Sequence, residues 1–411
     1  MPGLRHRTLA LRVARHARHR RAGVAGPDPG GTRRAFPDAG LVSVVNATLV
    51  TGADGYIGRR LVSALLETTS EPLILAVRAD GPAELAAKRQ ACGWADSRVT
   101  VRAVDLSTPD PFAGIDPAGI GRIVHAAAKT SFTVDRDTAQ AVNVDGTIRV
   151  RDFAATCPDL TRFVALSTLY AVGATTGTVL ERPGDGASFV NHYEWSKWAA
   201  EQQLLAPGAP PVVIARLPTV IADDDSGTVT QYNAFHNTLK LYFYGLMSLL
   251  PGDAATVLSL ATAEFVVDAV RSLLKPEVPA GIYHVSPDAA DCTTLGAAVD
   301  PIYAAFSADP GFRKRRVLEP VLVGRDSFAD LVEAATVIRG GPIADALGSI
   351  TPFAEQLYLP KVFDNTGLRA RWPGYRAPDP IELIESVGHY LAGTRWGRSP
   401  LTERRLDVPA R

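Results

Sequence analysis

The sequence predicts an α/β fold, a doubly wound parallel sheet followed by a smaller, mostly helical C-terminal lobe. Short apolar segments of strand length alternate with helical segments from residue 44 to about residue 220. Strands that are apolar on both faces are typical of a parallel sheet covered by helices on each side. Beyond Arg216 the alternation becomes irregular and more helical, which predicts the second lobe.

Each element follows from this patterning and from its flanking turn residues. The predicted strands of the first part span residues 44–51, 73–77, 99–104, 122–126, 162–166 and 211–215. The predicted helices between them span residues 56–67, 82–92, 136–155 and 190–205. In the second part, helices are predicted at 230–250, 264–274 and 380–391, with a strand at 281–285 and a mostly helical region at 293–347.

Charge and composition divide the chain into three parts. Residues 1–41 hold nine arginines and two aspartates, a net charge of +7, and residues 23–31 are rich in Gly and Pro. This predicts a basic, disordered tail, although a targeting peptide or a segment that binds anionic surfaces has the same composition. Residues 42–220 form the predicted sheet domain, to which later segments can return, and residues 221–411 form the lobe. The remainder of the chain carries −7, which argues against a nucleic-acid partner.

The cysteines and apolar runs indicate a cytoplasmic protein without a membrane span. Cys92, Cys157 and Cys292 are widely spaced and match no metal-ligand pattern, as expected of thiols in a reducing compartment. No apolar run reaches the roughly 18 residues that a spanning helix requires. The histidines form no regularly spaced set, so no metal site is predicted.

Three glycines follow the first strand and precede the first helix. Gly52, Gly55 and Gly58 permit a tight turn in which backbone N–H groups approach a pyrophosphate at the helix N-terminus. Tyr56 and Ile57 belong to the same predicted cofactor-binding segment of a Rossmann fold. A purely structural glycine turn is the alternative.

Arg78 follows the second strand, where an acid would bind the ribose of NAD and a guanidinium the 2′-phosphate of NADP. NADP(H) is therefore favoured and NAD(H) is the alternative, since Arg78 could also be a solvated residue beside Asp80. Further predicted cofactor contacts follow the third and fourth strands: Asp105, Leu106, Ala126 and Ala127. Simple packing explains these residues equally well.

Three residues have the chemistry of a proton-transfer site. Thr168 ends a strand, and its hydroxyl can orient a carbonyl toward Tyr193. Lys197 lies one helical turn after Tyr193 and shares its helix face. A phenol has an ordinary pKa near 10, and we expect the Lys197 ammonium, together with the positive nicotinamide of the oxidised cofactor, to lower the pKa of Tyr193. Thr168, Tyr193 and Lys197 are therefore the predicted catalytic residues, with Lys197 also reaching the ribose.

Two other features have two interpretations each. Asn143 is either a buried amide that joins backbone segments or a member of a proton relay through Lys197. The aromatic segment 232–249 either lines the substrate site or is a plain core helix, and the segment 177–186 is expected to lie near that site.

Taken together, these motifs resemble the extended short-chain dehydrogenase/reductase superfamily over residues 45–290. The matching elements are Thr51-Gly-x-x-Gly-x-x-Gly58, His125-Ala-Ala-Ala128, Asn143-Val-Asp-Gly-Thr147, Ser167-Thr168, Tyr193-x-x-Ser-Lys197 and Arg216-Leu-Pro218. Within the superfamily, Val77-Arg78, Ala165-Leu-Ser-Thr168 and the 216–227 loop look most like the thioester-reductase and fatty-acyl-reductase branch.

This resemblance implies an NADPH-dependent oxidoreductase that reduces an acyl thioester or another carbonyl to an aldehyde or alcohol. Its substrate would be a small molecule, or an acyl group on coenzyme A or a carrier protein. Three alternatives stay open: a nucleotide-sugar epimerase or dehydratase, a hydroxysteroid-type dehydrogenase, and a non-catalytic NADP-binding redox sensor. Retention of Tyr193 and Lys197 argues against the last.

Overall fold

A seven-stranded parallel sheet lies at the centre of the computed structural model, which describes residues 46–338 and 342–398. The predicted tail 1–41 lies outside the described residues. In chain order the strands of the described ranges are β1 (Ala47–Thr51), β2 (Leu73–Val77), β3 (Val99–Ala103), β4 (Ile120–His125), β5 (Arg162–Thr168), β6 (Gly177–Val179), β7 (Val213–Leu217), β8 (Thr219–Ala222), β9 (Leu249–Pro251), β10 (Val257–Leu258), β11 (Leu260–Thr262), β12 (Gly281–His284), β13 (Thr293–Thr294), β14 (Val321–Val323) and β15 (Lys361–Phe363).

Helices connect these strands and make up most of the second part of the chain. In order they are α1 (Tyr56–Thr68), α2 (Pro82–Ala91), α3 (Arg136–Thr138), α4 (Asp145–Thr156), α5 (His192–Leu204), α6 (Ala234–Phe243), α7 (Ala263–Leu273), α8 (Leu295–Ser307), α9 (Pro310–Arg315), α10 (Arg325–Ile338), α11 (Pro342–Gln356), α12 (Thr366–Arg371) and α13 (Pro380–Thr394). No helix in these ranges has both the length and the apolarity of a membrane span.

The strand order of the main sheet is β12-β7-β5-β4-β1-β2-β3, and every neighbouring pair is parallel. The chain builds outward from β1 to β3 on one side and then continues with β4 on the other. A crevice therefore forms at the carboxyl ends of β1 and β4, where ligands bind in open α/β sheets. Gly52 and Ala126 follow directly after these two strands.

Both faces of the sheet are buried, which confirms the doubly wound architecture. On one face, α1 and α7 contribute Leu61, Val62 and Val266 to the core. On the other face, α4 and α5 contribute Val150 and Leu204. The apolar runs of β1, β2 and β5 were readable as strands because both sides of each strand are excluded from water.

A separate core lies between the helices of the C-terminal lobe. Its centre is a cluster of rings in which Phe243 packs against Phe306, Phe312 and Trp396. Later segments also return to the sheet: β12 forms its edge, and Trp372 packs against Phe265 of α7. The functional division at residue 220 stays a prediction.

Two predicted helices differ from the structure. The helix expected over 230–250 is confined to α6, because Asn233 caps its start and Gly245, at φ +71°, lies just past its end. Its last predicted residues form β9, which pairs with β14. The helix expected over 136–155 contains a π-helical segment, Ala139–Val144, between α3 and α4. Such insertions occur frequently at functional sites.

Candidate active site

The glycine turn after β1 brings the backbone against the end of β4. Gly52 adopts φ +66°, and a Cβ at this position would lie 2.6 Å from the Ala127 Cα. A Cβ on Gly58 would lie 2.2 Å from the Gly52 carbonyl oxygen. The turn therefore requires glycine at both positions for steric reasons.

The start of α1 has the features of an anion site. Its N-cap is Gly55, which offers no side chain to the helix, and its first turn contains no acidic residue. The first N–H groups and the helix dipole therefore face no competing protein carboxylate in that turn. These features fit a dinucleotide pyrophosphate, and its binding by Gly52, Gly55, Tyr56, Ile57 and Gly58 stays a prediction.

The Tyr56 side chain turns away from that turn. Its hydroxyl donates to the Asp223 carboxylate at 2.6 Å and lies 3.2 Å from the Ala222 carbonyl oxygen. Arg60 packs its guanidinium over the Tyr56 ring at 4.1 Å and pairs with Asp223 at 2.7 Å. Because the Tyr56 side chain is bound to Asp223, only its backbone can make the predicted cofactor contact.

Arg78 and Asp105 lie together at the carboxyl edge, after β2 and β3. The Arg78 side chain is 64% exposed, and its Nε lies 3.9 Å from Asp105 Oδ2. Asp105 also accepts hydrogen bonds from Ser107. Because this guanidinium is exposed and only loosely paired, it is available to donate hydrogen bonds to a phosphate.

Leu106, Ala126 and Ala127 are less exposed to solvent than Arg78. The Leu106 side chain lies in the core against Gly146, and its carbonyl accepts from Arg149 at 2.9 Å. The N–H groups of Ala126 and Ala127 both point to Thr51, at 3.1 Å and 3.4 Å. The two alanines line the crevice, whereas the Leu106 side chain does not reach it.

A buried chain of polar groups runs from the glycine turn to Asn143. Thr51 Oγ1 lies 2.7 Å from His125 Nδ1, and His125 Nε2 lies 3.0 Å from Thr147 Oγ1, which donates to the Asn143 carbonyl. Burial lowers the pKa of His125 to about 3, so the ring is neutral. The Asn143 amide pairs with both backbone groups of Lys129 and donates to Ser196 at 2.9 Å. Asn143 therefore joins backbone segments and α5.

The three predicted catalytic residues come together at the carboxyl end of β5. Thr168 is the last residue of β5, and its side chain lies close enough to Tyr193 to lower the pKa of the phenol. Tyr193 lies in the first turn of α5, whose N-cap Asn191 accepts from the Glu194 N–H at 3.0 Å. Lys197, one turn later, donates from Nζ to the Leu166 carbonyl at 2.7 Å. All three side chains are buried.

In the protein without its cofactor, burial raises the pKa of Tyr193 above its ordinary value, and the Thr168 side chain opposes this rise only in part. Burial also lowers the pKa of Lys197 to about 8, against the attraction of Glu201. In the protein alone Tyr193 is therefore a protonated phenol, the form that donates a proton.

Ser167, the neighbour of Thr168, points away from the site. It donates to Glu201 at 2.6 Å, and Glu201 forms a buried ion pair with Arg216. His284 completes this layer, with its Nε2 at 3.2 Å from Arg216 Nη1. The layer lies beneath the catalytic edge and joins β5, β7, β12 and α5.

An apolar cavity opens next to Tyr170, two residues after Thr168. The Tyr170 hydroxyl lies 2.9 Å from Thr219 Oγ1. The walls combine residues of the sheet domain with residues of the lobe: Leu169, Phe235, Leu239, Leu250, Leu258, Leu295, Ala298, Ile302, Phe353 and Leu357, with Gln356 and Lys361 as polar members. Of the predicted aromatic segment, Phe235 and Leu239 line this cavity, Tyr242 and Phe243 lie in the lobe core, and Leu246 is exposed.

Phe132 connects the cavity with the phenol, and no sequence pattern indicated this role. Its ring lies 5.7 Å from that of Tyr193, 5.8 Å from Tyr170 and 6.4 Å from Phe353. Within the described ranges no group of three or more His, Cys, Asp or Glu side chains could hold a metal ion.

A family model and several known proteins match the chain. The model of an NAD-binding family described as male sterility protein matches residues 50–270, more than half of the chain. A glycine betaine reductase from Emericella nidulans is 26% identical over 90% of the chain and 31% of its own length. The chain spans less than a third of the length of the curated relatives that it matches.

Two solved structures share the fold over most of the chain. The terminal R domain of the myxalamid PKS-NRPS pathway has a TM-score of 0.70 at 20% identity, covering 89% of this chain and 95% of that one. A thiolation-reductase di-domain from an archaeal non-ribosomal peptide synthetase has a TM-score of 0.65 at 16% identity, covering 88% of this chain and 78% of that one. The chain belongs to the male sterility protein family, an NAD-binding family of the extended short-chain dehydrogenase/reductase superfamily.

Proposed function

We propose that the chain uses NADPH to reduce an acyl thioester to an aldehyde. The observation that carries this proposal is that the buried Thr168 and Tyr193 side chains lie together at the sheet edge that also carries the Gly52 turn. Two neighbouring hydroxyls can both donate hydrogen bonds to a single carbonyl oxygen. Lys197 is anchored on Leu166 beneath them.

The reaction places each of these residues in a defined role. When bound, the reduced nicotinamide supplies a hydride to the carbonyl carbon. Thr168 and Tyr193 donate hydrogen bonds to the oxygen that becomes negative, and Tyr193 gives up its proton. Lys197 stabilises the phenolate that results. The carbon–sulfur bond then breaks, and the proton ends on sulfur, so thioester, NADPH and a proton yield aldehyde, thiol and NADP⁺.

The choice of NADPH over NADH rests on Arg78. Its exposed guanidinium follows β2, where the adenosine ribose lies in dinucleotide-binding sheets, and its nearest acid is 3.9 Å away. Gly52, Gly55, Tyr56, Ile57 and Gly58 would hold the pyrophosphate through their backbone. Asp105, Ala126 and Ala127 would lie along the rest of the cofactor, with Leu106 contributing only backbone.

The apolar cavity supports an acyl group as the substrate. It starts at Leu169 and Tyr170, immediately after Thr168, and its walls are mostly aliphatic and aromatic. An apolar chain bound there would leave its thioester near the two hydroxyls. The resemblance to the myxalamid terminal R domain and to a thiolation-reductase di-domain favours a thiol carrier, either a carrier protein or coenzyme A. A cytoplasmic location belongs to the same proposal, because Cys92, Cys157 and Cys292 are all free thiols.

Oxidation of the cofactor with a panel of substrates tests this function. The purified chain is mixed with NADPH and with acyl-coenzyme A thioesters, acylated carrier domains, ketones or nucleotide sugars, and the absorbance of NADPH is followed. We expect aldehyde and free thiol from the thioesters, and a loss of about 10²- to 10⁴-fold in kcat for Tyr193→Phe. Tyr242→Phe, which removes a buried hydroxyl bonded to the Leu318 carbonyl, is the matched control and should keep its kcat. Turnover of ketones or nucleotide sugars alone would exclude thioester reduction.

A further inference from the structure

Lys361 is a buried cation outside the catalytic triplet. It opens β15 in the C-terminal lobe, and its side chain is almost entirely excluded from water. Its Nζ donates to the Gly173 carbonyl at 3.0 Å and to Gln356 Oε1 at 2.8 Å. A lysine is retained in such a position only when its charge and donors have partners.

Gln356 extends this contact to the helix that carries Tyr193. Its Nε2 donates to Glu194 Oε1 at 2.8 Å. The Glu194 carboxylate also accepts from the Val190 N–H at 3.2 Å and from Asn191 Nδ2 at 2.9 Å. Lys361, Gln356 and Glu194 therefore form a buried cation–amide–carboxylate series, which we call the lobe tether.

The two ends of the lobe tether are attached to the two segments of the catalytic pair. Gly173, at φ +72°, ends the turn Leu169–Val172 that follows Thr168. Glu194 is the residue after Tyr193 in the first turn of α5. A single ammonium group thus holds the segment after Thr168 and, through Gln356, the start of the Tyr193 helix.

The charges of the tether depend on one another. Burial raises the pKa of Glu194 to about 7 and lowers that of Lys361 to about 8, and each partner opposes the effect of burial on the other. Without the Lys361 ammonium nearby, the Glu194 carboxylate would also raise the pKa of its neighbour Tyr193. Because a half-satisfied buried network is costly, the three side chains act as a unit.

We propose that Lys361 is a positioning residue that fixes the Thr168 and Tyr193 hydroxyls relative to each other through the lobe tether. The lobe that binds the substrate would thereby also set the geometry of the proton donor. A misplacement of about 1 Å in such a pair can cost about 10²-fold in rate. The inference rests on the proposed function for its kinetic test, and a second test needs no substrate.

The kinetic test compares Lys361→Met with the double variant Glu194→Gln/Lys361→Met, which leaves no charge in the tether. For both we expect kcat for thioester reduction to fall by about tenfold or more, with Kd for NADPH within about twofold of wild type. The double variant should regain thermal stability without regaining kcat. Arg162→Met is the matched control, because Arg162 is a buried cation at the opposite end of β5, bonded to the Pro276 carbonyl. It should lower stability and leave kcat unchanged.

Hydrogen exchange provides the substrate-free test on the same proteins. In Lys361→Met and in the double variant, amide exchange should rise in residues 169–173 and 191–197, and Arg162→Met should show no such rise. Wild-type kcat in the folded double variant, or unchanged exchange in both segments, would overturn the proposal. If the wild type reduces no carbonyl compound, the proposed function fails, and the exchange result still decides whether the tether exists.

Discussion

Arg216 and Glu201 form a buried ion pair directly beneath the catalytic edge of β5. Arg216 Nη2 lies 2.6 Å from Glu201 Oε2 and Arg216 Nε lies 3.0 Å from Oε1, with 0% and 1% of the two side chains exposed. Ser167 donates to the same carboxylate, and Glu201 lies one turn after Lys197. The pair therefore fixes β5, β7 and α5 at the level of the catalytic residues.

We predict that Arg216→Met lowers the free energy of unfolding by about 3 to 5 kcal/mol, because it leaves the Glu201 charge buried without its partner. Urea unfolding measures the change. Arg216→Met/Glu201→Leu should recover most of the loss, since an apolar pair of similar volume avoids the unpaired charge. Arg271→Met, which breaks a partly exposed pair with Asp268, should cost less than about 1 kcal/mol. Equal losses in the two single variants would contradict this account.

Arg78→Gln should weaken the binding of NADPH and leave the binding of NADH unchanged. Loss of a charge-assisted contact with the 2′-phosphate costs about 1.5 to 3 kcal/mol, so the Kd for NADPH should rise by about 10- to 100-fold. The Kd for NADH should stay within about twofold, because NADH lacks that phosphate. Calorimetric titration of both cofactors measures the values, with Arg89→Gln on the exposed side of α2 as control. An equal loss for both cofactors would show that Arg78 does not bind the phosphate.

A larger side chain in the apolar cavity should restrict the enzyme to substrates with shorter acyl chains. Ala298 lies on α8, is 1% exposed and lines the cavity, so Ala298→Phe places a ring where an acyl chain would lie. We expect KM for long-chain thioesters to rise by about tenfold or more, a loss of more than about 1.4 kcal/mol of binding, while acetyl thioester is unaffected.

The neighbouring variant Ala297→Phe makes the same change on the exposed side of α8 and serves as control. Melting temperatures must accompany both, because overpacking costs about 1 to 3 kcal/mol. A uniform change for short and long chains would mean that the acyl group binds elsewhere.

Acidification should destabilise the protein through three buried histidines. Burial lowers the pKa of His125, His236 and His284 from 6.5 to about 3, about 4 and about 4. Below pH 6.5 the unfolded chain binds protons that the folded chain does not, so stability is present above this pH and is lost as the pH falls. Glu194 acts in the opposite sense, because its folded pKa of about 7 lies above the ordinary 4.5.

On acidification the three histidines lower the stability and Glu194 raises it. The free energy of unfolding should therefore fall by up to about 3 kcal/mol per pH unit between pH 6.5 and about pH 5. Urea unfolding at a series of pH values measures this slope. His236→Gln should reduce it by about 1.4 kcal/mol per unit, whereas His389→Gln, at an exposed position, should leave it unchanged. Stability that increases on acidification would refute the assignment of neutral histidines.

Local patterns predicted much of the site because each depends on a short stretch of chain. Glycine is required at Gly52 and Gly58 for steric reasons, and the Tyr193–Lys197 spacing follows from the helical period, so both features were visible in the sequence. The pKa of Tyr193 with the oxidised cofactor bound stays a prediction. Proximity to Lys197 can be read from spacing, whereas the burial that raises the pKa of Tyr193 in the protein alone depends on elements distant in the chain.

The sequence alone therefore determined the α/β class, the order along the chain of the seven strands of the main sheet and the residue types that meet at its carboxyl edge. These depend on periodicity and on turn chemistry within a few residues. Only the tertiary structure decided that Phe132 reaches Tyr193, that Tyr56 turns to Asp223 and that Lys361 connects with Glu194. Each of these contacts joins residues about 60 to 170 positions apart, and burial in a shared core, which no local pattern encodes, brings them together.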